Sequence, residues 1–330
     1  MSRVTRKLIL SFLSVILVLI TLTASTFAWL SLAMVNYVDS LHFMVTNGGE
    51  FYMTIGDPVK KSIYEFDNWG DSINVEDYLR YVNLANVTSF NGRDMLNRNG
   101  TVASYNAYVS IPLYFKAENV PETYGVFKHV GIYLGDYVED ASYDDAASGN
   151  INGSFIVSRG TNKTAGYSYV NRYGETVESG TNGIYYAHDA MRISVCPVEF
   201  DNISTMNNDF AYVSDGKILD LSKEPQYGFV NKQDPMYEKP VGAISYEMVE
   251  ESISYDDVEI PDEAPYTYKY ANGDEQPILL ELTKVIENDK EVYYGKCYVH
   301  VWLEGWDVDC YDVVLKDIIY VGLNFRVKQY

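Results

Sequence analysis

The chain has 330 residues, of which 25 are Lys or Arg and 46 are Asp or Glu, so its formal net charge is −21. Binding to nucleic acid depends on a basic surface that neutralises phosphates, so this charge excludes nucleic acid as a partner. The hydrophobic fraction of 47% and the aromatic fraction of 15% exclude a disordered chain, because they supply ample apolar surface for a core.

The N-terminus has the pattern of an export signal. Arg3, Arg6 and Lys7 precede an apolar run that begins at Leu8, and small residues lead up to Ala28. A signal peptidase requires small side chains beside the bond that it cleaves, so we expect residues 1–28 to be removed. The alternative is a retained membrane anchor, since the apolar run is long enough to cross a bilayer as a helix. Either outcome predicts a secreted or cell-surface protein whose only membrane contact is this N-terminal helix.

The exported part, residues 29–330, is predicted to be one domain. No long linker rich in Pro, Gly or Ser divides it, and no repeat of solenoid or propeller length is visible. Long polar connections predict loop insertions around residues 137–183 and 201–277. Three cysteines are too few for a disulfide scaffold and allow at most one intramolecular bridge.

Short alternations of apolar and polar residues predict β-strands along most of this part. Residues 41–45 and 51–55 alternate on either side of an Asn-Gly-Gly sequence. This pattern predicts a β-hairpin, because Asn-Gly accepts the positive φ of a tight turn. Residues 105–115 form another predicted strand, in which Pro112 indicates an edge or a bulge.

The clearest strands are the last three, at residues 277–285, 292–303 and 318–327. We predict an antiparallel β-sandwich of jelly-roll type with long loops, in which alternate residues of these strands share the core: Val299, Val301, Leu303, Val321, Leu323 and Phe325. Asn324 points to the opposite face in this scheme. Its side chain should therefore contribute far less to stability than that of Phe325.

The segment after the second of these strands predicts a structural corner, formed by Trp302, Glu304, Gly305, Trp306 and Cys310. Gly305 allows a tight bend, and the carboxylate of Glu304 is placed to accept backbone N–H groups there. One alternative is recognition of a ligand by the two tryptophans.

The same segment also permits a calcium site. Asp307, Asp309 and Asp312 offer the hard oxygen ligands that calcium takes, although their spacing does not fit an EF-hand loop. Apart from this calcium, the sequence predicts no cofactor.

Catalytic motifs are sparse. None of the four histidines lies in a His-Glu-x-x-His sequence, and no Gly-x-Ser-x-Gly sequence occurs. His188 and Asp189 are adjacent, and adjacent residues of a strand face opposite ways, so we expect no joint role for them. The sequence therefore predicts that the protein is not an enzyme.

Several segments resemble one protein family. They are Val299–Cys310, Ile318–Phe325 and the junction Thr26-Phe27-Ala28-Trp29. Here the chain resembles exported β-sandwich proteins of Gram-positive and related bacteria, grouped with the TasA/camelysin-like matrix proteins that a dedicated SipW-type signal peptidase processes. The resemblance implies a signal peptidase as one partner, and self-association or association with related matrix proteins.

The leading functional expectation is a structural protein of the cell surface or of an extracellular biofilm matrix, assembling through β-strand contacts. Residues 29–38 are apolar and are predicted to act as a donor strand that adds to a neighbouring sheet. Two alternatives stay open. One is a binding module for carbohydrate or a host protein, using Tyr167, Tyr169 and Tyr173; the other is an exported hydrolase with paired carboxylates.

Overall fold

The computed structural model describes residues 37–46, 50–56, 62–75, 79, 82–89, 91–97, 101–120, 129–135, 137–138, 140–165, 169–170, 175–200, 212–220, 267–269, 277–305, 307, 310, 314 and 316–330. All of them lie in one compact unit, Asn36–Tyr330. The predicted export signal and its cleavage site at Ala28 lie outside the described residues. No helix among the described residues is long and apolar enough to cross a membrane.

The described residues form mainly β-strands, as the alternating sequence predicts. The strands are β1 (Tyr37–Val45), β2 (Glu50–Thr54), β3 (Ser72–Asn74), β4 (Asn86–Thr88), β5 (Leu96–Asn97), β6 (Val109–Glu118), β7 (Val130–Leu134), β8 (Phe155–Ser158), β9 (Thr161–Thr164), β10 (Tyr169–Val170), β11 (Thr176–Val177), β12 (Asn182–Tyr185), β13 (Met191–Val198), β14 (Lys217–Asp220), β15 (Thr267–Lys269), β16 (Leu280–Glu287), β17 (Lys290–Glu304) and β18 (Ile318–Gln329). Helix α1 (Tyr143–Ala147) and two 3-10 turns, Ile63–Glu65 and Ala187–Ala190, are short.

Fourteen of these strands hydrogen-bond into one large sheet that curls around its core. The main path runs β15-β14-β13-β17-β16-β7-β18-β1-β3. Strand β6 pairs with residues 292–301 of β17, and β13 pairs with residues 296–303. Because these registers overlap, β6 and β13 lie on opposite edges of β17. The remaining strands form two ribbons, β9 with β12 and β10 with β11.

The core lies between two groups of strands in this sheet. Phe43 on β1 and Phe325 on β18 lie on one side, and Phe51 on β2 and Phe115 on β6 lie on the other. The ring centroid of Phe325 is 6.2 Å from that of Phe43 and 5.2 Å from that of Phe115. The six residues that the alternation predicts for the core are all buried in this cluster, so that prediction is confirmed: Val299, Val301, Leu303, Val321, Leu323 and Phe325.

The predicted hairpin of residues 41–45 and 51–55 is wrong. Both segments are strands, but β1 pairs with β18 and β3, whereas β2 pairs with β6. Phe43 and Phe51 must both reach the core, and they do so from its two sides. The apolar pattern therefore predicts which face of each strand points to the core, but not which strand pairs with it. The turn between the strands lies outside the described residues.

The prediction for Pro112 is confirmed. Proline has no N–H group to donate, so it fits a strand only where one edge needs no partner. Pro112 pairs with Tyr298 of β17, while β2 pairs only with Tyr114–Glu118 on the other edge of β6. Among the described strands, β6 therefore has an open edge at Pro112.

The prediction that Asn324 contributes less to stability than Phe325 stays a prediction, but Asn324 is not on a solvated face. Its side chain is only 1% exposed, and neither its amide nitrogen nor its amide oxygen has a hydrogen-bond partner in the described structure. The opposite face of β18 is covered here. Ser154, the residue just before β8, accepts a hydrogen bond from the Asn324 backbone N–H at 2.9 Å. Removing an unpaired buried amide relieves a desolvation penalty, so Asn324 is unsuitable as a surface control.

The segments expected to be loops contain further strands. The polar stretch 158–183 holds the ribbon of β9 and β12, and residues 137–154 hold α1. The second insertion, 201–277, contributes β14 and β15. All three cysteines are free thiols and buried.

Replacing Phe325 by Ala should lower the free energy of unfolding by about 3–5 kcal/mol, because it leaves a cavity beside the rings of Phe43 and Phe115. The matched control is Ile286→Ala, since Ile286 lies on β16 but is 60% exposed. That change should alter stability by less than about 0.5 kcal/mol. Urea unfolding followed by circular dichroism measures both values. Equal losses for the two variants would contradict the assignment of the core face.

Candidate functional site

The corner after β17 is tied together by buried side chains. The indole N–H of Trp302 donates to Oε2 of Glu304 at 3.0 Å, and both side chains are buried. The N–H of Gly305 donates to the carbonyl of Val87 at 2.7 Å, and the Cys310 thiol donates to Oδ1 of Asn86 at 3.3 Å. These contacts anchor the corner to β4. The structure thus places four of the five predicted corner residues together, while Trp306 lies outside the described residues.

The carboxylate of Asp307 is held by a buried arginine. Nη2 of Arg192 lies 2.6 Å from Oδ2 of Asp307, and the side chains are 6% and 0% exposed. Nη1 of Arg192 donates to the carbonyl of Met191 at 2.8 Å. A guanidinium at this carboxylate neutralises the charge that a calcium ion would use.

The calcium site itself stays a prediction. Its other two ligands, Asp309 and Asp312, lie outside the described residues. Within the part of the chain that the structure describes, no group of three or more His, Cys, Asp or Glu side chains is placed to hold a metal ion. The tyrosines proposed for carbohydrate binding, Tyr167, Tyr169 and Tyr173, also have no described side chains.

A second buried layer covers the face of β17 that points away from the core. Lys296, Tyr298, His300 and Trp302 alternate along this face with the apolar core residues, and all four are buried. Tyr298 stacks on His300 with ring centroids 6.0 Å apart and an interplanar angle of 10°. The alternation of apolar and polar residues predicts that this face is solvated, and that prediction misses the layer. The large aromatic side chains of Tyr298 and Trp302 on this face were the sequence feature that indicates burial.

His300 is the polar centre of this layer. Neither of its ring nitrogens has a hydrogen-bond partner in the described structure, and burial lowers its pKa to about 4. Beside it, Ser194 and the Cys196 thiol donate to the carbonyl of Gly92. Burial raises the pKa of Cys196 to about 12, so its thiol is not a nucleophile at neutral pH.

A cleft of about 880 Å³ opens next to this layer. It lies where β17 changes partners, because β16 pairs with β17 up to Tyr294 and β13 pairs with it from Lys296. The ends of β13 and β16 therefore diverge and leave an opening over the edge of β17. Apolar side chains line much of it, together with Lys296, Lys217 and the carboxylates of Glu199 and Glu281.

The premise that His188 and Asp189 lie on a strand is wrong, whereas the expectation that they have no joint role stays a prediction. The two residues lie in the 3-10 turn Ala187–Ala190, not in a strand, so their side chains meet, with Nε2 of His188 3.6 Å from Oδ1 of Asp189. Nδ1 of His188 lies 2.9 Å from Oγ of Ser158 and accepts the Ser158 backbone N–H at 3.1 Å. Through these contacts the imidazole joins β8 to the turn.

Comparison with known proteins adds no relative: the sequence matches no protein-family profile, no curated protein and no solved structure.

Removing one partner of the buried ion pair should be costly. Asp307→Ala leaves the Arg192 guanidinium without this carboxylate and should lower the free energy of unfolding by about 3–5 kcal/mol. The double variant Arg192→Met, Asp307→Leu removes both charges and should lose much less. Urea unfolding at neutral pH measures each variant. A double variant as unstable as Asp307→Ala would show that lost packing, not the orphaned charge, causes the effect.

His300 should make folding sensitive to acid. Its pKa is about 4 in the folded protein and about 6.5 in the unfolded chain, so between these values only the unfolded chain takes up the proton. The free energy of unfolding should therefore fall by up to about 3 kcal/mol between pH 6.5 and pH 4 through this residue, and by nothing above pH 6.5. The variant His300→Phe keeps the ring contacts and should lose less stability over this range. Parallel stability curves for both proteins would contradict the assignment.

Proposed function

We propose that this chain is a secreted or cell-surface structural protein that assembles with copies of itself through β-strand contacts. The observation that carries the proposal is the ribbon of β9 and β12, whose strands pair only with each other among the described strands. No other described strand covers the outer edge of either of these strands. Such an edge is a template for a strand from another chain.

The side chains of the ribbon support this role. Ile184 on β12 is 58% exposed, and the neighbouring Tyr186 is 39% exposed. Exposed apolar groups beside an open edge offer contacts for the side chains of an added strand. A two-stranded ribbon is marginally stable alone, so a third strand would stabilise it.

The N-terminal segment is the proposed donor strand, with one correction. Residues Tyr37 and Val38 belong to β1 and pair with Ile318 and Ile319 of the same chain, so the donor cannot extend to residue 38. The proposed donor is therefore limited to residues 29–36, which lie outside the described residues. Head-to-tail addition of such a segment does not close on itself and yields filaments.

The proposal also covers architecture and processing. The two groups of strands that face each other across the phenylalanine core are proposed to be the layers of a β-sandwich, as in the TasA/camelysin-like matrix proteins that the sequence resembles. A signal peptidase acting after Ala28 and related matrix proteins are the proposed partners. The packing of Phe115 against Phe325 across the core supports the two layers.

Sedimentation velocity and negative-stain microscopy of the chain Trp29–Tyr330 test the proposal. We expect filaments or large oligomers that the variant Ile184→Asp abolishes, because a charge at the ribbon opposes strand addition. The matched control is Ile286→Asp, since Ile286 is 60% exposed on another pair of strands, and this variant should assemble normally.

A chain that begins at Tyr37 tests the donor segment, residues 29–36, separately from the ribbon of β9 and β12. It keeps all of β1 but lacks the donor, and we expect it to remain monomeric. Filaments of this shorter chain would remove the donor segment from the proposal. A monomeric Trp29–Tyr330 at all concentrations would contradict assembly altogether.

A further inference from the structure

We propose that Asp317 positions the ribbon of β9 and β12 for assembly, because its carboxylate binds both segments that join the ribbon to the large sheet. The first segment, residues 159–160, follows β8, and the second, residues 186–190, leads into β13. They are the two legs of the ribbon. The inference rests on the proposed assembly, since it concerns the direction in which the ribbon presents its edges to a second copy of the chain.

The carboxylate of Asp317 accepts a hydrogen bond from each leg. The backbone N–H of Gly160 donates to Oδ1 at 2.7 Å, and the backbone N–H of Ala187 donates to Oδ2 at 2.8 Å. The N–H of Ile318, the first residue of β18, also donates to Oδ1, at 2.8 Å. Asp317 is only 1% exposed, and hydrogen bonds from N–H groups to a carboxylate are stronger than those between neutral groups. This one side chain therefore ties both legs to the start of β18.

The two legs also contact each other at their base. The backbone N–H of Ser158, at the end of β8, donates to Nδ1 of His188 at 3.1 Å, and the His188 N–H donates to Oγ of Ser158 at 3.3 Å. Gly160 has a φ of +80°, and a Cβ atom there would lie 2.5 Å from Cγ2 of Ile184 and 2.7 Å from Cε1 of Tyr186. Only glycine allows so close an approach in this conformation. The separation of the legs is therefore fixed by packing as well as by Asp317.

The backbone next to Asp317 is strained. Lys316 has a φ of +73°, in the left-handed region that residues with a side chain rarely adopt. Lys316 lies in a turn that is closed by a hydrogen bond from the Asp317 N–H to the carbonyl of Val314 at 3.3 Å. Such strain persists only where the surrounding structure holds it, and it clusters at functional positions. Here the strained turn carries the side chain that binds both legs.

A fixed ribbon is a better template for assembly than a mobile one. Without the carboxylate, the ribbon would move about its two legs, and an added strand would have to immobilise it. Loss of this motion on binding weakens association, so a ribbon that is held in advance binds its partner more tightly. A regular filament also needs the same geometry at every contact between copies. Asp317 therefore acts on assembly through the ribbon, without touching the partner.

Hydrogen exchange of the variant Asp317→Asn in the dilute monomer tests the contact with the legs. This variant keeps the shape of the side chain but replaces one acceptor oxygen by an NH2 donor, so it cannot accept N–H groups from both legs. We expect the amide of Gly160 or that of Ala187 to exchange about tenfold faster. The amides of β17 are the internal control, because they report unfolding of the whole domain. Unchanged exchange of both leg amides would overturn the inference.

Sedimentation of the chain Trp29–Tyr330 tests the effect on assembly. We expect Asp317→Asn to raise the critical concentration for assembly by at least about tenfold. The matched control is Asp307→Asn, which changes another buried carboxylate, one that pairs with Arg192, and should leave the critical concentration unchanged. Should Asp317→Asn fail to fold, Gly160→Ala pushes the legs apart without changing Asp317, and it should raise the critical concentration as well.

The inference and the proposed function fail in different ways. Normal assembly of a folded Asp317→Asn or Gly160→Ala variant, beside a wild-type chain that assembles, would overturn the role of Asp317 and leave the proposed function intact. A wild-type chain that stays monomeric would contradict the proposed function. Faster exchange of a leg amide in Asp317→Asn would then support the contact with the legs alone.

Discussion

Strand β17 is the constraint on which the rest of the structure depends. It is 15 residues long, it is paired with β6 on one edge and with β16 and then β13 on the other, and its residues from 294 to 303 are all buried. Every backbone N–H and C=O group in this stretch therefore needs a hydrogen-bond partner, and other residues must pack against both faces of the strand. The core of phenylalanine and aliphatic side chains covers one face. The layer around Tyr298 and His300 covers the other.

The second layer explains why this protein buries so many polar groups. A strand covered on both faces must either be apolar throughout or pair its polar side chains inside the protein. β17 does the latter with Trp302 and Glu304, and the neighbouring strand does so with Arg192 and Asp307. His300 is the exception, because it stays neutral and without a described partner. The same change of strand partners that buries Lys296 also opens the cleft beside it.

The sequence allowed the strands and the core face to be predicted, but not the strand partners. Alternation located β6, β16, β17 and β18 and the inward direction of Phe325, since side-chain direction depends on local spacing alone. It did not show that Asn324 and the outward face of β17 are buried, because alternation shows that two faces differ and not whether the second is exposed. It failed for β1 and β2 because pairing depends on the whole chain. The pair of Arg192 and Asp307 joins residues 115 positions apart, and no local pattern reports such a contact.

The proposed function depends on which backbone edge is open in the monomer and closed in the assembly. Hydrogen exchange, compared between dilute monomer and assembled protein, measures this most directly, since it reports the pairing of individual amides. We expect slow exchange in β17 in both states and protection that appears on assembly in residues 161–164 and 182–185. Unchanged exchange of these two strands in an assembled sample would contradict it.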